Sequence, residues 1–438
     1  MRGEAGKFPL DAETVAVVGH SLATHLSEKL GRAPTIVIGR DTRASGDWLE
    51  AALVSGASSA NALCKSAGVI TTPGVAYLAR TLPADAGIVI SASHNPYQDN
   101  GIKIFAPSGR KLEGSTERLI EQDVFAKRQV SASTQPAHLE TEDLAARYVD
   151  FLAAGVGKGL SLSGKKLIVD CANGAASSIA PTLFERLGAE VVAINNNPDG
   201  KNINVNCGSL HMEVLQAQVL EQHADLGVAV DGDADRSLFV DTSGDVVNGD
   251  GALWVLAKYL QDHGQLRSNT VVATVMSNLG LELALESRGI KLIRTDVGDK
   301  YVLDELLKRD ASLGGEQSGH IIFPSISLAG DGLITSLCVL RAMVEQDASL
   351  SDLVAGFQTY PQVLVNVAVN EKVPFTEVRA IADAAHALEE RLGATGRLLL
   401  RYSGTEALAR VMLEGQSQSE IEKEAHNLAT VIRENLGS

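Results

Sequence analysis

Short, continuously apolar runs recur along the chain, and longer stretches with helical spacing separate them. The runs TIVI at 35–38, GIVI at 87–90, KLIV at 166–169, VVAI at 191–194, LGVAV at 226–230 and TVVATV at 270–275 read as buried strands. The stretches 49–62, 178–187 and 279–288 read as helices. This alternation predicts an α/β architecture with mixed, mainly parallel sheets. A similar unit recurs as TIVIGRD, KLIVDCANG and TVVATVMSN, each a strand running into a loop and then a helix. Three related α/β domains are therefore expected. The last part of the chain differs. VLVNVAVN at 363–370 precedes a helix at 375–392, a strand at 396–401, a loop, a strand at 409–413 and a final helix. That pattern predicts a smaller α+β domain. The expected divisions are 1–145, 146–248, 249–358 and 359–438, with turn-forming Gly/Ser segments at 157–164 and 241–251.

Length agrees with this division, since 438 residues exceed what one core organises. A net charge of −16 argues against nucleic acid or an anionic membrane as partner. Anions would have to be bound by local Arg, Lys and backbone N–H groups. The cysteines at 64, 171, 207 and 338 form no C-x-x-C pair, and the opening MRGEAGKFPLD has no apolar h-region. No apolar run approaches the ~18 residues of a membrane span. A reduced, cytoplasmic chain, monomeric or homodimeric, is expected.

Four loops carry chemistry. SASHNP at 91–96 directly follows the strand GIVI, so Ser93 lies where α/β sheets expose functional groups. Lys103 can return to the same place after a further turn. Alone, the loop also reads as an ordinary polar turn. DGDADR at 231–236 sets Asp231, Asp233 and Asp235 at i, i+2 and i+4 after the strand LGVAV. Three such carboxylates can converge on a hard divalent cation, Mg²⁺ or Ca²⁺ in preference to Zn²⁺. An EF-hand is excluded: the sixth position is Arg236 where Gly is needed, and the twelfth is Thr242 where Glu is needed. GGEQSGH at 314–320 offers Glu316, Ser318 and His320, but also fits a glycine-rich turn with a hydrogen-bonded histidine. RYSGTE at 401–406, followed by Arg410, is a candidate phosphate cradle, and equally a salt-bridged surface turn.

In this order the four loops resemble the α-D-phosphohexomutase superfamily over essentially the whole chain, as its phosphoserine, metal, sugar-specificity and phosphate-binding loops. Within it the chain is most similar to the phosphoglucosamine mutases. The stretches that carry this are GEQSGH with Gln317, VGDKYV at 297–302, YPQVLVN at 360–366 and NIN…CGS at 202–209. The resemblance implies three similar α/β domains and a smaller fourth in a heart shape around a central cleft. It implies that Ser93 is the phosphorylated serine and that Asp231, Asp233 and Asp235 bind Mg²⁺ with a phosphoserine oxygen. Arg236 would lie beside the phosphoserine. Glu316 and Ser318 would read the sugar, and Arg401, Ser403, Gly404, Thr405 and Arg410 would hold the non-reacting phosphate. Lys103 and His320 match acid/base or charge-stabilising positions.

The implied activity interconverts glucosamine 6-phosphate and glucosamine 1-phosphate through a 1,6-bisphosphate. Glucosamine or glucose 1,6-bisphosphate would be the activator, and the product would feed UDP-N-acetylglucosamine synthesis. A phosphoglucomutase or phosphomannomutase with the same machinery is the alternative, and a catalytically silent sugar-phosphate sensor a more distant one. Two departures stand out. Ala407 replaces the usual Pro. Only Arg2-Gly3 matches the family's opening F-G-T-D-G-I-R-G, so the first strand is expected to be missing, leaving Arg2, a substrate-facing position, beside the terminus. A start a few residues earlier would restore it.

Overall fold

The computed structural model describes residues 1–126, 130, 139–141, 143–403 and 406–437. Four sheets follow one another along the chain. The first contains β1 (Arg2–Glu4), β2 (Thr35–Arg40), β3 (Leu63–Val69), β4 (Ala86–Ile90), β5 (Asp99–Phe105) and β6 (Leu139–Thr141). The second contains β7 (Lys166–Asp170), β8 (Glu190–Ile194), β9 (Leu226–Val230), β10 (Ser237–Val240) and β11 (Val246–Val247). The third contains β12 (Thr270–Thr274), β13 (Lys291–Thr295), β14 (Leu313–Gly315) and β15 (Ile321–Ile322). The fourth contains β16 (Gln362–Ala368), β17 (Arg397–Tyr402) and β18 (Leu408–Glu414), all antiparallel.

The first three sheets share one strand order: β3-β2-β4-β5, β8-β7-β9-β10 and β13-β12-β14-β15. In each, the strand of the recurring sequence unit is central, its two neighbours are parallel to it, and the last strand returns antiparallel. This is the topological counterpart of the recurrence in the sequence. It has a functional consequence, because each of the four candidate loops joins two adjacent antiparallel strands: β4 to β5, β9 to β10, β14 to β15 and β17 to β18. A short hairpin leaves its loop no room to wander from the end of the sheet.

Burial explains the continuous apolar runs. In β2, Ile36 and Ile38 pack with Val15, Leu22, Leu49 and Leu53 on one face, while Val37 packs with Val75 and Leu78 on the other. A strand covered on both faces loses the apolar–polar alternation. The second of these clusters continues through Tyr148 and Leu152 into Leu167, Val169, Val271 and Ala273, so one apolar core joins the first three domains. The fourth domain has its own, centred on Val411, Leu413, Ile421 and Ile432. It is joined to the third by fully buried Glu414, which accepts from Arg397 Nε at 2.7 Å, Gln362 Nε2 at 2.9 Å, and Asn278 Nδ2 and Leu279 N at 3.2 Å.

One expectation is corrected. A first strand is present: β1 pairs antiparallel with β5, Arg2 opposite Gly101 and Glu4 opposite Asp99. Three residues carry too little periodicity to announce a strand, and it is the exposed edge of β5 that orders them. No helix among the described residues is long and apolar enough to cross a membrane.

Candidate active site

The serine loop is held from beneath. Ser93 is buried and adopts φ 57°, the left-handed region that non-glycine residues avoid. Its N–H donates to Ser91 Oγ at 3.0 Å, and its carbonyl accepts from Arg43 Nη2 and Asn204 Nδ2, both at 2.9 Å. Arg43, fully buried, also donates to Asn95 O at 2.9 Å, Asp99 O at 3.0 Å and Pro96 O, and its Nε pairs with Asp41 at 2.8 Å. One guanidinium thus gathers the loop's carbonyls, which accounts for the strained backbone being maintained. Arg43 did not stand out in the sequence, and Asn204 did so only within the NIN…CGS stretch, with no role attached to it. Arg43 lies in the loop after the recurring strand unit TIVIGRD, and that position was the available signal.

Three of the four loops meet. Ser93 Oγ donates to Asp231 Oδ2 at 2.6 Å. One carboxylate oxygen from each of Asp231, Asp233 and Asp235 lies within 4.8 Å of the others, and all three residues are buried. Asp233 Oδ2 accepts from Lys103 Nζ at 2.6 Å and from Thr72 Oγ1 at 2.5 Å. Asp233 Oδ1 and Asp235 Oδ1 are buried without a hydrogen-bond partner. Two orphaned carboxylate oxygens in an all-oxygen set fit a hard divalent cation. Burial, reinforced by Asp235 and Asp233, pushes the Asp231 carboxyl well above its ordinary range. Burial opposes the ionisation of Asp235 too, but Lys103, His320 and Arg236 outweigh it and hold that carboxyl well below its ordinary range. For Lys103 burial works against the charge, and Asp233 and Asp235 overcome it, raising its pKa.

The third loop closes over this cluster. His320 Nδ1 lies 3.6 Å from Asp235 Oδ1, and Nε2 lies 3.9 Å from Asp299 Oδ2. Burial would lower the His320 pKa, but Asp235 and Asp299 raise it overall. Glu316 accepts from Gly298 N at 3.1 Å and from Ser318 Oγ at 3.3 Å. Arg236 Nε sits 3.8 Å from Asp235. Arg2, exposed, reaches Asn95 Oδ1 of the serine loop at 3.4 Å.

The fourth loop stands apart. Ser403 Oγ accepts from Arg410 Nη2 at 3.3 Å and donates to Glu406 at 3.3 Å, while Arg401 Nη2 donates to Met276 Sδ at 3.9 Å. Among the described residues, no hydrogen bond or ion pair of Arg401, Ser403 or Arg410 reaches the other three loops. Gly404 and Thr405 lie outside the described residues. Behind Lys103 and His320 a cavity of about 340 Å³ opens between the first and third domains, edged by Lys111, Asp299 and Gly330.

Comparison with known proteins decides what this arrangement is related to. The chain matches phosphoglucomutase/phosphomannomutase alpha/beta/alpha domain I at residues 1–131, domain II at 146–244, domain III at 248–360 and the C-terminal domain at 364–431. It is 48% identical to a phosphoglucosamine mutase of Solibacter usitatus, covering 100% of this chain and 98% of that one. The chain belongs to the phosphoglucomutase/phosphomannomutase family. A phosphoglucosamine mutase of Koribacter versatilis is 47% identical over 100% of this chain and 96% of its own. A solved family member from Burkholderia thailandensis superposes with a TM-score of 0.81 at 25% identity, covering 99% of this chain and 96% of that one. The Aspergillus fumigatus N-acetylphosphoglucosamine mutase in complex with GlcNAc-6P and magnesium shares the fold, with a TM-score of 0.67 at 20% identity over 96% and 98% of the two chains.

Proposed function

We propose that this family member is a phosphoglucosamine mutase, an isomerase that interconverts glucosamine 6-phosphate and glucosamine 1-phosphate through a phosphoserine and a 1,6-bisphosphate. The observation that carries the reading is the meeting of Ser93 Oγ with the aspartate cluster, on a chain whose full length matches phosphoglucosamine mutases at 45–48% identity.

In the forward direction the enzyme starts phosphorylated on Ser93. The sugar O1 attacks the phosphorus, the bond to Ser93 Oγ breaks, and the O1 proton passes to a base. Of the two candidate groups beside the aspartates, Lys103, kept charged by Asp233 and Asp235, balances charge, and His320 is the one that would take the proton. The bisphosphate then turns over within the cleft. Ser93 Oγ attacks the 6-phosphorus, O6 leaves and receives a proton, and glucosamine 1-phosphate departs. Arg401, Ser403 and Arg410 hold whichever phosphate is not reacting, with Gly404 and Thr405 between them. Glu316 and Ser318 take the sugar hydroxyls, Arg2 reaches the substrate from the serine-loop side, and Arg236 steadies the phosphoserine. Asp231, Asp233 and Asp235 would hold Mg²⁺, which when bound neutralises charge at the Ser93 oxygen. Glucosamine or glucose 1,6-bisphosphate would restore enzyme that has lost its phosphate. We place the enzyme in the cytoplasm, in keeping with its four free cysteines.

The test compares kcat/KM for glucosamine, glucose and mannose 6-phosphates in the presence of a bisphosphate activator. Glucosamine 6-phosphate is expected to be preferred, because a site that hydrogen-bonds a substrate group penalises analogues lacking it. Equal values for the mannose and glucosamine substrates would overturn the assignment.

A further inference from the structure

His320 is 6% exposed, and its Nε2 is buried without a hydrogen-bond partner. An unanchored imidazole in a packed site normally rotates until both nitrogens are satisfied, so something other than hydrogen bonds must hold this one. Two features do so. The segment carrying Gly330 presses flat against the ring: a Cβ at that position would lie 2.3 Å from Nε2, 2.4 Å from Cδ2 and 2.6 Å from Cε1. These are ring atoms on a buried residue, with no flexible end that could swing aside. Two residues on, the same segment presses against the metal loop. A Cβ on Gly332 would lie 2.4 Å from Arg236 O, and Gly332 N donates to Ala234 O at 3.0 Å. Gly330 to Gly332 therefore fixes the spacing between the ring and the aspartate loop. The second feature is Asp299, whose Oδ2 faces Nε2 at 3.9 Å and pairs with Lys111 Nζ of the first domain at 2.6 Å. Burial opposes the charge on Asp299, but His320 and Lys111 overcome it and hold the carboxyl below its ordinary range.

We propose that Gly330 and Asp299 are positioning residues for phosphoryl transfer: Gly330 by its missing side chain and Asp299 by its charge at Nε2 keep the His320 ring aligned with Asp235 and the reacting phosphoryl group. This rests on the reading of His320 as a group that acts in the reaction. Asp299 is the first residue of the helix Asp299–Arg309, and the preceding Gly298 N donates to Glu316. The same turn of chain thus supports the imidazole and the sugar-reading carboxylate.

The experiment measures kcat and KM for glucosamine 6-phosphate in Asp299→Asn and Gly330→Ala, each in the native protein and in His320→Ala. Asp299→Asn is expected to lower kcat about tenfold, and Gly330→Ala up to about a hundredfold, with KM changed less than about twofold. Neither should lower kcat further once His320 is alanine, since each acts through the ring. Asp304→Ala is the control. It removes the exposed Arg110–Asp304 pair, which spans the same two domains at 3.0 Å, and should leave kcat unchanged. The proposal is overturned if Asp299→Asn costs the same factor with and without His320, if it moves KM alone, or if Asp304→Ala costs as much. Should Gly330→Ala fail to fold, the Asp299→Asn comparison decides alone. Full kcat in His320→Ala would remove the role of His320 and this proposal with it. The phosphoserine cycle would still stand, because Ser93→Ala tests it separately.

Discussion

Arg401 and Arg410 stand directly opposite each other across the β17–β18 ladder. Opposed residues in an antiparallel pair project from the same face, and like charges so placed destabilise the hairpin. Glu406, 3.2 Å from Arg410, balances only part of the charge. A second anion between the two guanidiniums would complete the balance, which is the arrangement expected of a phosphate grip. Arg401→Ala should therefore act in opposite directions on binding and stability. KM for either monophosphate should rise about 10- to 100-fold, in line with losing about 1.5–3 kcal/mol of charged hydrogen bonding. The melting temperature of the free protein should hold or rise slightly. An unchanged KM would remove these arginines from the phosphate site.

Ser93, whose Oγ donates to Asp231 at 2.6 Å, is the proposed acceptor and donor of the phosphoryl group. Intact-protein mass spectrometry should find one labile phosphate, absent from Ser93→Ala, with turnover falling by more than about a thousandfold. A Ser93→Ala enzyme that still turned over fully would end the phosphoserine reading.

Asp233 combines an orphaned oxygen with contacts to Lys103 and Thr72. Asp233→Asn keeps its shape and removes a charge. Its Mg²⁺ affinity, measured calorimetrically, should drop at least about tenfold, and chelation should stop turnover of the native enzyme. Unaltered Mg²⁺ dependence in Asp233→Asn would displace the metal from this cluster.

Arg43 lies beneath the serine loop, fully buried, with its guanidinium taken up by Asp41 and the loop's carbonyls. Arg43→Ala leaves Asp41 buried without its partner and frees the carbonyls of Ser93, Asn95, Pro96 and Asp99. A loss of about 3–5 kcal/mol in urea unfolding is expected, together with loss of activity. A stable, active Arg43→Ala protein would show that the loop holds its own shape.

Stability should also carry a signature of Asp250. Burial pushes this carboxyl from 3.8 to about 6, although it accepts from Asn278 N at 2.8 Å. Between those two values the folded chain holds a proton that the unfolded chain has lost. Stability from this group is therefore fully present below pH ~4 and declines as pH rises through ~6. Asp250→Asn removes the titration. Its stability advantage over the native protein should grow between pH 4 and pH 6.5, by up to about 3 kcal/mol. A difference independent of pH would place the buried proton elsewhere.

Much of this was already present in the order of residues. Strands buried on both faces must be apolar at every position, so β2, β4, β7, β9 and β12 announce themselves locally. Each of the four loops directly follows a strand, which places Ser93, Asp231 and Glu316 at sheet ends before any packing is known. What the sequence could not hold is distance between segments far apart in the chain. Arg43 meets Ser93 across 50 positions, Ser93 meets Asp231 across 138, and Gly330 matters only because the His320 ring lies against it. The three residues of β1 become a strand only because β5 offers an unpaired edge. Local spacing fixes which face of an element a residue occupies. Which residues then share a site is set by the common apolar core that locks three sheets together, and by its absence beneath the fourth.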